Sequence, residues 1–186
     1  KPDIWRLCLG TAKVGKYRRK IIFPSFDSSG ELNYFVARTI DDNPGRKYVN
    51  ANARKSEIIF NEYSINWKEQ ITIVEGPFDL IKCGLNAVCI LGSSLSKNSY
   101  LFKRLAHNQT PVCLALDYDM KEKIQKISKL LSSYGCEVKI VEVSKDQDIG
   151  SMSKNDVSNA IENAQLWSRN DSLLQKINSI SSGSIF

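Results

Sequence analysis

The sequence has few of the residues that hold a structural zinc ion. Its 186 residues include one histidine and five cysteines, and no two cysteines form a C-x-x-C pair, so a zinc site is not expected. No apolar run approaches the ~20 residues that a membrane-spanning helix needs, and no segment has the pattern of a signal peptide. These absences favour a cytoplasmic protein. Because the chain begins at Lys1 and not at a methionine, we expect it to be a piece of a longer protein.

Positive charge is concentrated in the first third of the chain. Residues 1–60 contain 12 Lys and Arg against 6 Asp and Glu, whereas residues 61–186 contain 14 of each. The formal net charge of +6 therefore belongs to the N-terminal region. Such a region suits a protein that holds a polyanion backbone. The alternative interpretation is a solvated basic face without a partner.

The stretch from Ile71 to Asp79, ITIVEGPFD, predicts a strand–turn–helix joint. Ile71 to Val74 form a short β-branched run typical of a buried strand. Pro77 suits the first position of a helix, where no N–H is needed. Glu75 lies on the turn, at the end of a strand where α/β proteins bind their ligands.

Two later stretches repeat this construction. Residues 111–116 predict a strand that ends in Asp117-Tyr118-Asp119, and a strand beginning at Val138 runs out into Asp146-Gln147-Asp148. Helical patterns between the strands predict parallel neighbours with their acidic ends on one edge. Clustered carboxylates repel one another unless a cation neutralises them. Hard oxygen ligands of this kind favour Mg²⁺ or Mn²⁺.

The series E-G-x-x-D, D-x-D and D-x-D, each after its own strand, resembles the TOPRIM domain of primases, topoisomerases and some nucleases. The resemblance implies that Glu75 acts in acid–base chemistry. It implies Mg²⁺ or Mn²⁺ ligands at Asp79, Asp117, Asp119, Asp146 and Asp148. The chain departs from the pattern after the first D-x-D, where small residues are usual and Met120-Lys121-Glu122-Lys123 stand here.

The N-terminal region narrows the resemblance to the catalytic core of bacterial and bacteriophage DNA primases. The matching features are a basic cluster, the run I-I-F-P, a hairpin, an arginine after an aromatic strand, and K-Y-x-N. In that family this region guides single-stranded template and the RNA–DNA hybrid. The implied nucleic-acid contacts are Arg18, Arg19, Lys20, Arg38, Lys47 and Asn50. Tyr17, Tyr34, Phe35 and Tyr48 lie among them, where aromatic rings can stack bases.

These patterns predict an α/β fold, with a TOPRIM-like, mostly parallel sheet flanked by helices and preceded by a small basic α+β subdomain. We expect a basic subdomain at 1–68, a TOPRIM catalytic domain at 69–150 and a C-terminal helical segment at 151–186. Hairpin strands are expected at Lys20–Phe26 and Glu31–Thr39, and helices at Ser96–Asn108 and Met120–Tyr134. Ser153 is expected to cap a helix that runs to about Leu166, and Asp171 to cap a last helix.

The predicted function is synthesis of short RNA primers on single-stranded DNA by two-metal nucleotidyl transfer. Its expected partners are template DNA, primer RNA and NTPs, with a replicative helicase and a zinc-binding module fused or acting in trans. One alternative is a TOPRIM nuclease or topoisomerase-like enzyme, although no tyrosine nucleophile is marked. A second is a non-catalytic module that binds nucleic acid, which would have no need of so many unpaired acids.

Overall fold

A computed structural model describes residues 2–42, 45–92, 95–145 and 147–170. The N-terminal part begins with helix α1 (Pro2–Arg6) and a hairpin of strands β1 (Lys20–Phe26) and β2 (Leu32–Thr39). The rest contains strands β3 (Ile71–Val74), β4 (Ala87–Cys89), β5 (Val112–Leu114), β6 (Val138–Ile140) and β7 (Gln165–Leu166). Its helices are α2 (Pro77–Leu80), α3 (Tyr100–Asn108), α4 (Lys121–Ser132) and α5 (Lys154–Glu162). None of the described helices is long and apolar enough to cross a membrane.

The hairpin forms where the alternating pattern predicted it. β1 and β2 pair antiparallel, and the register shifts between Ser25 and Phe26, one residue after Pro24. Residues 47–51 continue this small sheet, because Thr39 donates to the carbonyl of Lys47 and Val49 donates to that of Ala37 (3.0 and 2.8 Å). The K-Y-x-N segment is thereby held alongside β2.

The second sheet has the strand order β4-β3-β5-β6-β7. β3 lies parallel to both β4 and β5, and β5 lies parallel to β6. Chain segments after β3, β5 and β6 therefore leave the sheet on the same edge and from neighbouring strands. The predicted α/β class, with a mostly parallel sheet preceded by a small α+β part, is confirmed.

The predicted helix from Ser153 ends earlier than expected. Ser153 does cap α5, accepting from the Asp156 N–H and donating to its carboxylate (3.2 and 2.7 Å). The helix stops at Glu162, and Leu166 lies in β7, paired antiparallel with Lys139 of β6. Pairing with the free edge of β6 outweighs the local helical pattern because it satisfies that strand's exposed backbone groups. The helix expected after Asp171 lies outside the described residues.

Two aromatic residues at the ends of the predicted helix segments are half exposed. Tyr100 begins α3 and is 50% exposed, because Leu101, Phe102 and Leu105 form the buried face of that helix. Tyr134 lies beyond the end of α4 and is 42% exposed. Its ring packs edge-on against Phe102, with the centroids 5.0 Å apart.

Two hydrophobic clusters cover the two faces of the parallel sheet. One joins α3 and α4 to residues such as Ile73 and Leu114. The other joins the hairpin residues Phe23 and Tyr34 to Val74 and Leu80 of the β3–α2 joint. The basic hairpin is therefore packed directly against the element that bears Glu75 and Asp79. The domain bounds at 68/69 and 150/151 stay predictions.

Candidate active site

The acidic residues predicted to form a site follow three adjacent strands of the parallel sheet. Glu75 comes directly after β3, Asp117 follows β5, and Asp148 lies in the segment after β6. Asp79 is in α2, the short helix that begins after Glu75. Asp146 lies outside the described residues. The topology thus places five of the six predicted carboxylates around one edge, because three parallel neighbours end there.

Asp79 is held in place by the turn that precedes it. The Gly76 N–H donates to Asp79 Oδ2 at 2.9 Å, and Pro77 occupies the first helical position, as expected. The pKa of Asp79 is raised to about 6, chiefly by burial of the carboxyl and also by the charges of Asp117, Glu75 and Asp148, while the hydrogen bond from Gly76 lowers it. A half-buried carboxyl with a raised pKa among other carboxylates is typical of a functional site.

Glu75 and Asp117 are perturbed by the same neighbours. Burial raises the pKa of Glu75, and the charges of Asp117 and Asp119 add to this effect while Lys123 opposes it. Burial likewise raises the pKa of Asp117, with contributions from Asp148 and Asp119 and against a hydrogen bond from the Ile149 N–H. The pKa of each of these carboxyl groups is therefore raised by the charges of at least two others. This mutual repulsion is what clustered acids were expected to show.

The turn at residues 148–151 contacts carboxylates from three different parts of the chain. The Ile149 N–H donates to Asp117 Oδ1 at 3.2 Å, and the Ser151 N–H donates to Asp148 Oδ1 at 2.7 Å. A Cβ atom added at Gly150 would lie 3.1 Å from Asp79 Oδ1 and 3.2 Å from Asp148 Oδ1. Asp119, by contrast, is exposed at the start of the segment leading into α4.

The donor set has the chemistry that Mg²⁺ or Mn²⁺ requires. It consists of carboxylates whose negative charges raise one another's pKa values, with Lys123 acting against this at Glu75, and carboxylate oxygens are the preferred ligands of hard divalent cations. Within the described part of the chain, no three acidic, cysteine or histidine side chains already form a group able to hold a metal. The residues present fit the ion by chemistry, as separate carboxylates brought to one edge.

Lys123 is a candidate functional residue that is absent from the set predicted from the sequence, because lysines on an amphipathic helix are most simply a solvated face. It is half-buried, and it is the cation that acts on Glu75. It forms no salt bridge with any residue that the structure describes. With Asp119 and Gly92 it lines an open groove of about 850 Å³. The available signal was the departure from small residues after D-x-D.

Arg38 connects the basic hairpin to the acidic edge. Its guanidinium carbon lies 4.3 Å from the ring centroid of Phe78, the residue before Asp79, and 5.9 Å from that of Tyr48. Lys47 Nζ lies 6.0 Å from the same Tyr48 ring. The structure therefore brings Arg38 and Lys47 together beside the β3–α2 joint. Cations over aromatic faces are held in place without losing their charge.

The remaining predicted contacts lie elsewhere on the hairpin. Strand alternation puts Lys20 on the face opposite Arg38, since Lys20 pairs with Thr39 while Arg38 pairs with Ile21. The side chain of Arg19 is paired with Asp41, Arg18 is exposed, and Asn50 is half-buried near the Tyr34 hydroxyl. Among the aromatics, Tyr34 is 1% exposed and is not available for stacking. Tyr17 packs edge-on against Phe35 at 5.3 Å.

A parallel sheet with acids after three adjacent strands, joined to a basic hairpin, is the arrangement that the sequence motifs predicted. No protein-family model matches the chain. Sequence comparison shows similarity to the DNA primase of Listeria innocua, with 34% identity over 131 residues that cover 63% of this chain and 21% of the relative. The chain spans between 21% and 25% of the length of the curated relatives it matches, all of them DNA primases.

Solved primase structures share the fold. The Aquifex aeolicus primase, comprising zinc-binding and RNA polymerase domains, superposes with a TM-score of 0.67 and 24% identity over 86% of this chain and 44% of that one. A primase catalytic domain bound to single-stranded DNA gives 0.66, with 19% identity over 89% of this chain and 61% of that one. The resemblance to the DNA primase catalytic core, predicted from the motifs, is confirmed by the sequence similarity and the fold.

Proposed function

We propose that this chain is the catalytic core of a DNA primase and synthesises short RNA primers on single-stranded DNA. The observation that carries the proposal is the junction between the two halves of the site. Phe78 contacts Arg38 on one side, and its neighbour Asp79 belongs to the acidic edge on the other. A strand held by the hairpin would therefore pass close to the carboxylates.

The acidic edge suits metal-assisted nucleotidyl transfer. Asp79, Asp117, Asp119 and Asp148, together with Asp146, are the residues we assign to Mg²⁺ or Mn²⁺. Bound cations of this kind lower the pKa of an attacking hydroxyl and neutralise the charge of the transferring phosphoryl group.

Glu75 is the group that we assign to proton transfer. In the reaction, the primer 3′-oxygen forms a bond to the α-phosphorus of the incoming NTP, the bond to pyrophosphate breaks, and Glu75 accepts the hydroxyl proton. Burial and the charges of Asp117 and Asp119 raise the pKa of Glu75. A higher pKa makes its carboxylate a stronger base.

The basic residues divide into two roles. Arg38 and Lys47 lie beside the β3–α2 joint and are assigned to the phosphate backbone of the template or the hybrid, where such contacts position a strand without reading its bases. Lys123 lies on the groove beside Asp119 and is assigned to the phosphates of the incoming NTP. Arg18, Arg19, Lys20 and Asn50 would extend the template contact along the rest of the hairpin.

Template choice is assigned to partners. The sequence lacks the histidines and cysteines for a zinc-binding module, and the cations of the hairpin are assigned to the phosphate backbone, a contact that carries no base sequence. A zinc-binding module and a replicative helicase, fused to this chain or acting in trans, would select the starting site on the template and raise the rate of primer synthesis.

A primer-synthesis assay with NTPs, single-stranded DNA and either Mg²⁺ or Mn²⁺ tests the proposal. The wild-type chain should form short RNA, and Asp117→Asn should slow synthesis by about 100-fold or more, because the cation that neutralises the transferring phosphoryl group would lose a ligand. Binding of single-stranded DNA should be unchanged. Glu142→Gln, an exposed acid after the same sheet edge, is the matched control. Cleavage of the DNA without RNA synthesis would favour the nuclease alternative.

A further inference from the structure

The missing side chain at Gly150 leaves the space in which two predicted metal ligands from different parts of the chain approach each other. A Cβ atom at this position would lie 3.1 Å from Asp79 Oδ1 and 3.2 Å from Asp148 Oδ1. Both distances are shorter than ordinary van der Waals contact, so a methyl group would displace at least one carboxylate by a few tenths of an ångström.

Hydrogen bonds hold the carboxylates around this space in place. Asp79 Oδ2 is held by the Gly76 N–H at 2.9 Å, so its Oδ1 is the oxygen directed towards Gly150. Asp148 Oδ1 accepts from the Ser151 N–H at 2.7 Å, on the other side of the glycine. The carboxylate of Asp117 is joined to the same turn by the Ile149 N–H at 3.2 Å. One short turn therefore sets the separation of three carboxylates.

Gly150 is not needed there for backbone freedom. Its φ lies outside the left-handed region, unlike that of Gly135 (φ +86°) or Gly92 (φ +70°). Alanine fits the backbone at residue 150 without strain, and only the carboxylate oxygens oppose its methyl group. The glycine is required by the close approach of Asp79 and Asp148 and not by the turn itself.

We propose that Gly150 is a positioning residue for the divalent-cation site, whose missing side chain sets the Asp79–Asp148 separation that the cation requires. The inference rests on the proposed assignment of these acids to a metal. It goes further, because it assigns the preference for a smaller or a larger cation to the 148–151 turn. Mg²⁺ demands ligands at about 2.0–2.1 Å in near-ideal geometry, whereas Ca²⁺ accepts about 2.3–2.6 Å in a flexible shell.

Gly150→Ala tests this when Mg²⁺, Mn²⁺ and Ca²⁺ binding are each measured by titration calorimetry without nucleotide. Displacing residues that orient metal ligands typically weakens binding by about 10- to 100-fold, and we expect that loss for Mg²⁺ and Mn²⁺ but a smaller loss for Ca²⁺. Gly84→Ala is the matched control, since a Cβ there would meet nothing within 4 Å. Unchanged Mg²⁺ affinity, or an equal loss for all three ions, would overturn the proposal.

A second measurement on the wild-type chain keeps the proposal testable if Gly150→Ala does not fold. The backbone amide resonances of Ile149, Gly150 and Ser151 should shift on Mg²⁺ addition together with that of Gly76, at one common dissociation constant. A shift at Gly76 with no change at 149–151 would overturn it. Neither measurement depends on primer synthesis, so a chain that binds Mg²⁺ as expected but makes no RNA would refute the proposed function alone.

Discussion

Replacing Asp79 with asparagine should stabilise the metal-free protein at high pH. The folded protein binds the Asp79 proton more tightly than the unfolded chain, because burial raises the pKa from 3.8 to about 6. Ionisation of Asp79 therefore favours unfolding. The penalty is absent below pH 3.8, grows as the pH rises, and is complete above about pH 6.

The size of the effect follows from the shift in pKa. One pKa unit corresponds to about 1.4 kcal/mol, so the ionised Asp79 carboxylate destabilises the fold by at most about 3 kcal/mol above pH 6. Asparagine carries no charge, and its side-chain oxygen can still accept the Gly76 N–H. For a chain of this size, 3 kcal/mol corresponds to a rise in Tm of about 6–12 °C.

Urea and thermal unfolding at pH 4, 6 and 8 in EDTA provide the assay. Asp79→Asn should exceed the wild type in stability at pH 8, and the difference should disappear near pH 4. Adding Mg²⁺ should narrow the gap at pH 8, because the ion stabilises the wild-type site more than the variant. The exposed Asp42, changed to asparagine, is the control. A variant no more stable than wild type at pH 8 without metal would refute the reasoning.

Two further predictions concern the cationic residues. Lys47→Ala should weaken single-stranded DNA binding for all sequences alike and lower the log–log salt slope by about 0.7, whereas Lys129→Ala, exposed on α4, should change neither; an unchanged slope would remove Lys47 from the interface. Lys123→Gln should raise the KM for NTPs by about tenfold, the cost of one charge-assisted contact, with DNA affinity unchanged. Lys129→Gln is its control, because Lys129 is exposed on α4 and is not among the residues that line the groove, and an equal effect of both changes would contradict the assignment.

Local chemistry in the sequence was sufficient to predict the elements that bear the site. A β-branched run followed by Glu-Gly-Pro predicts a strand, a turn and a helix start, and the structure has all three between Ile71 and Leu80. Alternation likewise predicts the hairpin, with β1 at Lys20–Phe26 as expected. These inferences succeed because propensity, proline placement and side-chain period act over a few neighbouring residues.

Patterns failed where a distant partner overrode local preference. Leu166 continues a helical pattern but lies in β7, since the edge of β6 offers backbone hydrogen bonds that the sequence near Leu166 does not reveal. Tyr34 shares the aromatic character of Tyr48, yet one is buried and the other is 42% exposed. Tyr34 packs into the cluster that joins the hairpin to Val74 and Leu80, and these partners lie far along the chain.

The sequence by itself determined which carboxylates and cations are available and the order in which strands present them. Only the tertiary structure decided their separations: the stacking of Arg38 on Phe78, the field of Lys123 at Glu75, and the approach of Asp79 and Asp148 across Gly150. Each of these contacts joins residues at least 40 positions apart along the chain. Their distances depend on how β3, β5 and β6 align and on how the hairpin packs on α2. Neither can be predicted from a local sequence pattern.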